Sequence, residues 1–196
     1  MRQFVVRGHE APTTADFSLD DLPGAGRLDV LCRCVTAAFL LSHDIRADVR
    51  VRVVLDGYTV HFEGRDLKRL NPDERSTAAL FKAALDGREK AVGRMPVETT
   101  PGVSITRHGF ESTLRQAADE GTVVQLHADG TPAIDTGPPT DPVFVLSDHR
   151  EFTEEESDTL TRWTDRRVSL SPRRLHGDQA VTVAHNWLDT EAFASW

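Results

Sequence analysis

Apolar runs alternate with polar, glycine-rich segments along the chain, and their period indicates the secondary structure. The first half predicts a strand at residues 2–7, a helix within residues 26–45 and a second helix that ends before Gly87. Between these helices, VRVRVVL and YTVHFEG flank Asp56-Gly57, the two-residue turn typical of a β-hairpin. Asn71 is the predicted N-cap of the second helix, and Pro72 suits its first position.

The second half predicts strands and helices in alternation. A short strand within residues 102–109 and a helix over 110–121 precede three apolar strands, at 122–130, 142–149 and 167–172. Thr153 and Glu156 have the spacing of a capping box for a helix that reaches about Trp163. Apolar strands separated by helices are typical of a parallel sheet covered on both faces. We therefore expect an α/β fold.

Composition narrows the class of protein. The chain has 196 residues and 39% hydrophobic content, which predicts a single domain over residues 1–196. No apolar run approaches ~18 residues, so no transmembrane helix and no membrane partner are expected. The first residues, MRQFVVRGHEAP, are too short and polar for a secretory signal. The expected location is cytoplasmic.

The charge is acidic and arginine-rich. The formal net charge is −8, and three lysines stand against 20 arginines. This balance is expected of a protein that works in concentrated salt, although codon bias toward arginine would produce the same count. An acidic chain binds nucleic acid poorly without a local basic patch, so we expect no DNA partner. The densest basic cluster, Arg65, Lys68 and Arg69, either contacts RNA phosphates or forms a solvated face.

Several kinds of site are absent from the sequence. Cys32 and Cys34 are too close for an unstrained disulfide and have no partners for a metal, so we expect small side chains on a packed helix in a reducing compartment. His176 and His185 stand alone, which favours structural roles and no metal site. The chain has no dinucleotide fingerprint, no P-loop and no G-x-S-x-G elbow, which disfavours kinase and hydrolase functions.

Two parts of the chain remain candidates for a binding or catalytic site. In α/β proteins, ligands bind at the carboxyl ends of parallel strands, and here three strands end near Leu126, Leu146 and Leu170. Arg27 and Asp29 open the first helix just after a glycine-rich loop. A guanidinium can hold a phosphate or carbonyl, and a carboxylate can accept a base N–H. An ordinary i,i+4 ion pair between Asp29 and Arg33 is the alternative.

Three segments together resemble a known family. GRLDVLCRCVTAAFLLSHDIR, the strand exit FVLSDH, and SLSPRRLHGDQAVTVAHNWLD are similar to segments of the archaeal tRNA pseudouridine-54 N1-methyltransferases. That family belongs to the SPOUT class of S-adenosylmethionine-dependent RNA methyltransferases. The resemblance implies a SPOUT-type parallel sheet flanked by helices, with a C-terminal trefoil knot over about residues 122–190. The helix from about Asp178 would be the segment that passes through the loop of the knot. Its buried face would be formed by Ala180, Val183, Ala184 and Trp187.

The resemblance also implies the site residues. S-adenosyl-L-methionine would contact residues of the three strand exits and of the segment before the last helix: Leu126, Leu146, Ser147, Asp148, Ser169, Leu170, Ser171, Leu175 and Ala180. Arg27 and Asp29 match an Arg-x-Asp pattern of sibling enzymes that methylate pseudouridine in ribosomal RNA. Asp29 would orient or accept the N1 proton, and Arg27 would hold the base or its phosphate.

The implied partners are tRNA and a second copy of the chain, with Trp187 and Trp196 as candidate contacts of a homodimer. Two alternatives stay open. One is a SPOUT enzyme that acts on a ribosomal pseudouridine or on a ribose. The other is a non-catalytic RNA-binding module, which the near-neutral first half disfavours because a pure binder needs a stronger basic stripe.

Overall fold

The computed structural model describes residues 1–195 and contains eight strands, five α-helices and two 3₁₀ turns. The strands are β1 (Arg2–Arg7), β2 (Val49–Val54), β3 (Thr59–Glu63), β4 (Val97–Thr100), β5 (Val103–Thr106), β6 (Thr122–Pro132), β7 (Pro142–Ser147) and β8 (Arg166–Ser169). The helices are α1 (Leu28–Phe39), α2 (Glu74–Asp86), α3 (Phe110–Glu120), α4 (Glu154–Trp163) and α5 (Gly177–Asp189). The 3₁₀ turns span Arg88–Lys90 and Ala133–Asp135.

All eight strands form one sheet in the order β4-β5-β3-β2-β1-β7-β6-β8. Five adjacent strands run parallel to one another, in the order β2, β1, β7, β6 and β8. Beyond β2, strands β3, β5 and β4 extend the sheet with antiparallel pairing. The α/β class is therefore confirmed, with a mixed sheet that is parallel where the strands alternate with helices. We call the edge where the parallel strands end the carboxyl edge, and the opposite edge the amino edge.

The strands feed two apolar layers because successive side chains point to opposite faces of the sheet. Phe4 and Phe144 belong to the larger layer, which also contains the inward faces of α1, α2 and α5. Val5 and Val145, their neighbours along the same strands, pack in the smaller layer under α3 and α4. Helices thus cover both faces of the parallel half.

Two predictions from turn and cap residues are confirmed. The Asp56-Gly57 turn is confirmed: Leu55 N–H donates to Tyr58 O at 2.8 Å, and Gly57 has φ 72. The capping box is confirmed by Thr153 Oγ1 and the Glu156 carboxylate, each of which accepts from the other's backbone N–H.

The prediction for the start of α2 was wrong. Asp73, not Asn71, caps the helix by accepting from Ser76 N–H at 2.7 Å, which leaves Pro72 outside. The first helix is also shorter than the pattern suggested, because residues 40–45 form a turn closed by a bridge between Leu40 and Ile45.

The inward stripe of α5 is rotated from the expected one. Val181, Ala184, His185 and Trp187 are buried, whereas Ala180 and Val183 are only partly covered. The polar ring of His185 is accommodated because its Nε2 donates to Ala38 O at 3.0 Å. Burial lowers the pKa of His185 to about 4, so the ring is neutral, in agreement with its expected structural role.

The burial of Trp187 also corrects the expected homodimer contact. Its side chain is 0% exposed in the monomer, so it cannot present an interface. Trp196, the other expected contact, lies outside the described residues. Within residues 1–195, no helix has the length and apolar character needed to cross a membrane.

Candidate active site

The carboxyl edge contains a cleft of about 390 Å³ at the exits of β6, β7 and β8. All nine residues expected to hold a cofactor line it: Leu126, Leu146, Ser147, Asp148, Ser169, Leu170, Ser171, Leu175 and Ala180. Strand order explains the convergence, since β7, β6 and β8 are adjacent in the sheet and parallel. The rule that ligands bind at such exits therefore identified a real concave site.

Seven further lining residues belong to the strand exits or to the segment 171–178 before the last helix, where a ligand site was expected: His127, Ala128, His149, Arg173, Arg174, His176 and Gly177. Five others were not expected from the sequence: Val30, Arg150, Glu151, Phe152 and Val168. Of these five, Arg150 and Glu151 lie in a loop, with no periodicity to mark them. Arg27, which was expected to meet the substrate, also lines the cleft.

Asp148 contributes structure as well as lining. Its side chain is 1% exposed, and its carboxylate accepts from His9 N–H at 2.7 Å, from the His9 ring at 3.0 Å and from Arg150 N–H at 2.8 Å. The carboxylate is thus occupied by the protein and fixes the loop that follows Ser147.

A second carboxylate meets the same histidine. Glu156 Oε2 lies 2.8 Å from His9 Nε2, and Glu156 Oε1 accepts from Arg7 Nε at 2.5 Å. Burial alone would raise the pKa of Glu156, but the hydrogen bonds from Arg7, Thr153 N–H and His9 outweigh it and lower the pKa to about 2. His9 follows β1, itself a parallel strand, so the exit rule applied to β1 could have found this residue.

Arg27 and Asp29 form a bidentate pair at the mouth of α1. Arg27 Nε and Nη2 donate to the two oxygens of Asp29 at 3.0 and 3.1 Å, and Arg33 Nη1 donates to Asp29 at 3.1 Å. Asp29 is buried beneath Arg27 and does not line the cleft. The hydrogen bond from Arg27 holds the pKa of Asp29 below its ordinary value, although burial opposes it. Asp29 is thus a fixed carboxylate that aims Arg27.

The basic cluster expected to contact RNA lies elsewhere. Arg65, Lys68 and Arg69 are exposed in the loop after β3, at the amino edge, because Glu63 pairs with Arg50 near the start of β2. The chain does not bring this cluster to the cleft.

The two cysteines are buried and free, and burial raises the pKa of Cys34 to about 12. Their expected role as packed side chains of α1 is confirmed. Among residues 1–195, no group of three or more histidine, cysteine, aspartate or glutamate side chains is arranged to hold a metal.

Comparison with known proteins defines first the class and then the family. The fold is similar to that of Archaeoglobus fulgidus Nep1, whose crystal structure is bound to S-adenosylhomocysteine, with a TM-score of 0.62 at 15% identity over 92% of this chain and 93% of that one. A family model for S-adenosylmethionine-dependent RNA methyltransferases matches residues 1–193. Fold and family model together define an α/β RNA methyltransferase.

Curated relatives are closer in sequence. The tRNA (pseudouridine(54)-N(1))-methyltransferase of Haloarcula marismortui is 66% identical over 98% of both chains, and that of Haloferax volcanii is 62% identical over the full length of both. The chain belongs to this methyltransferase family.

The cleft fits the cofactor of that family on its own geometry. Four leucines, from the three strand exits and the segment before α5, offer an apolar surface for a nucleoside ring: Leu126, Leu146, Leu170 and Leu175. Arg150, Arg173 and Arg174 at the rim can attract a carboxylate. Volume and lining both lie in the range of small-molecule sites.

Proposed function

We propose that this protein transfers the methyl group of S-adenosyl-L-methionine to N1 of pseudouridine at position 54 of tRNA. One observation carries the proposal: the expected cofactor residues line a single cleft, in a chain 66% identical to a relative named for that reaction. Pseudouridine is joined to its sugar through carbon, so its N1 carries a hydrogen that uridine lacks. The N1–H bond must break as the new N–C bond forms, the sulfonium becomes a neutral thioether, and the released proton passes to solvent water.

The cofactor supplies a methyl group already activated on a sulfonium, so the chain's own residues mainly position N1 and manage its proton. Arg27, at the wall of the cleft, holds the base or its phosphate with the N–H groups that Asp29 leaves free. Asp29 acts through Arg27 in this proposal, because its low pKa and burial favour orientation over proton acceptance. The base leaves its stack to reach the cleft, at a cost of a few kcal/mol.

Methyl transfer in molar salt tests the proposal. Labelled S-adenosylmethionine is offered with two matched tRNA transcripts, one with pseudouridine and one with uridine at position 54. We expect label only in the pseudouridine transcript. Label in both would mean a ribose or another base, and label in neither, with cofactor still bound, would mean another RNA such as ribosomal RNA. A chain that bound tRNA but no cofactor would be an RNA-binding module.

We also propose that residues 1–196 form one domain whose region of about 122–190 is a trefoil knot. Its support is the family resemblance. In β6, Leu126 and Thr131 both pair with Val168 of β8, so a bulge interrupts this strand pair within the proposed knot region. The intervening segment passes so near the β8 backbone that a Cβ on Gly130 would lie 2.5 Å from Val168 C. Tracing chain crossings in an experimental structure tests the topology, and an unthreaded α5 would refute it.

A homodimer in the cytoplasm is the remaining proposal. It rests on the family resemblance and on a tRNA substrate, and the interface must use residues other than the buried Trp187. Sedimentation in molar salt distinguishes a dimer from a 21.7 kDa monomer. The exposed amino-edge cluster of Arg65, Lys68 and Arg69 remains a candidate RNA contact, and its triple glutamine variant should bind tRNA more weakly.

A further inference from the structure

Most arginines of this acidic chain are paired with acceptors, and the exceptions are grouped. Among residues 1–195, eight basic side chains have no ion pair or hydrogen bond: Arg65, Lys68, Arg69, Lys90, Arg94, Arg107, Arg115 and Arg173. The first three are the amino-edge cluster, and Arg173 lines the cleft. The remaining four lie between the end of α2 and the middle of α3.

Arg94 and Arg107 are exposed at one corner of the molecule, which we call the arginine corner. Val97 of β4 pairs with Ile105 of β5, so Arg94 and Arg107 both lie just beyond the same end of that ladder. Burial, and then the positive charges of Arg94 and Arg115, lower the pKa of His108, which lies next to Arg107 in the chain.

One row of strand pairs connects this corner to the cleft. Thr106 pairs with Thr59, Thr59 with Val54, Val54 with Arg7, and Arg7 with Ser147. Arg107 follows Thr106, and Ser147 lines the cleft. Four steps between neighbouring strands of about 4.8 Å give a separation of roughly 19 Å along the carboxyl edge. The arginine corner and the cleft therefore face the same side of the molecule, unlike the amino-edge cluster.

We propose that the arginine corner binds backbone phosphates of the substrate RNA while the target base occupies the cleft. The inference rests on the proposed function for the identity of the RNA. Unpaired, exposed arginines are the side chains that a polyanion can engage without breaking an existing ion pair. In an acidic chain such a local patch is needed for RNA to bind at all. Asp56, exposed at the β2–β3 turn on the same edge, is the acidic residue that such an RNA would pass.

The test compares charge-matched double variants. R94Q/R107Q should weaken tRNA binding about tenfold and reduce the slope of log Kd against log salt by about 0.7–0.9 for each phosphate that is no longer neutralised. R162Q/R166Q removes the same charge from exposed arginines outside this corner and should leave the slope unchanged. Affinity for S-adenosylmethionine and kcat at saturating tRNA should match the wild type in both. D56N should tighten tRNA binding about twofold, because it removes a repulsive charge.

The outcomes distinguish a failure of the arginine-corner proposal from a failure of the proposed function. An unchanged slope in R94Q/R107Q, or an equal change in R162Q/R166Q, would overturn the arginine corner even if methyl transfer occurs as proposed. A wild-type protein that binds tRNA with a slope sensitive to R94Q/R107Q but transfers no methyl group would overturn the proposed function alone. Circular dichroism at each salt concentration verifies that every variant is folded.

Discussion

His9 lies between two carboxylates, with its Nδ1 3.0 Å from Asp148 Oδ1 and its Nε2 2.8 Å from Glu156 Oε2. The contact joins three elements that are far apart in sequence: the loop after β1, the cleft-lining loop after β7, and the first turn of α4. An imidazolium donates to both acceptors, whereas a neutral ring donates to one. The loop that shapes the cleft is therefore held by a side chain that need not touch the cofactor.

Removal of the His9 ring should loosen the cleft. H9A deletes the ring contacts to Asp148, Glu156 and Ser147 but leaves the backbone N–H bond to Asp148. We expect the KM for S-adenosylmethionine to rise about tenfold with a smaller change in kcat, because the loop that lines the cleft is then held less firmly. H9N can donate to one carboxylate and should be intermediate. H43A, an exposed histidine, serves as the control. An unchanged KM in H9A would contradict the positioning role.

Glu156 should make the free energy of unfolding depend on pH in the acidic range. Its folded pKa of about 2 lies below the ordinary 4.5. A lowered pKa stabilises the fold above the unfolded value, and this contribution disappears as pH falls from about 4.5 toward 2. Urea unfolding at fixed salt should find E156Q destabilised at neutral pH, with the gap from wild type narrowing toward pH 2. A gap independent of pH would contradict the prediction.

Arg27 and Asp29 should act as a unit. R27Q and D29N should each lower the methylation rate about a hundredfold, because each deprives the substrate of an oriented guanidinium. The double variant should lose little more than either single variant, since residues that act together are not additive. R33Q also removes a partner of Asp29 but should have a milder effect, since Arg33 does not line the cleft. Additive losses would mean separate roles, and an unchanged rate in D29N would exclude Asp29.

Gly177 should be required by its neighbour on α1. A Cβ at this position would lie 2.8 Å from Cys34 Sγ, so G177A should cost about 1–3 kcal/mol of stability. C34A makes room, and the C34A/G177A variant should be more stable than the sum of the single effects predicts. Urea unfolding of the four proteins measures this coupling. Additive losses would show that the strain lies elsewhere.

The sequence by itself predicted seven of the eight strands and all five helices, together with the Asp56-Gly57 turn, the Thr153 capping box and the exits that meet in the cleft, but it did not predict β4. These depend on side chains a few residues apart and on the rule that parallel strands end at one edge. The sequence did not determine which residue caps α2. Asn71 and Asp73 are both favourable N-cap residues, and only the folded chain selects Asp73.

Tertiary structure decided which chemistry-bearing residues meet. The pairing of β3 with β2 places Arg65, Lys68 and Arg69 at the amino edge, although they are the densest basic cluster in the sequence. His9 meets Asp148 and Glu156 across more than 130 positions. The face of α5 that packs against the rest of the chain includes His185 and does not include Val183, contrary to the expected face. Such contacts arise from strand order and helix packing, which no local pattern specifies.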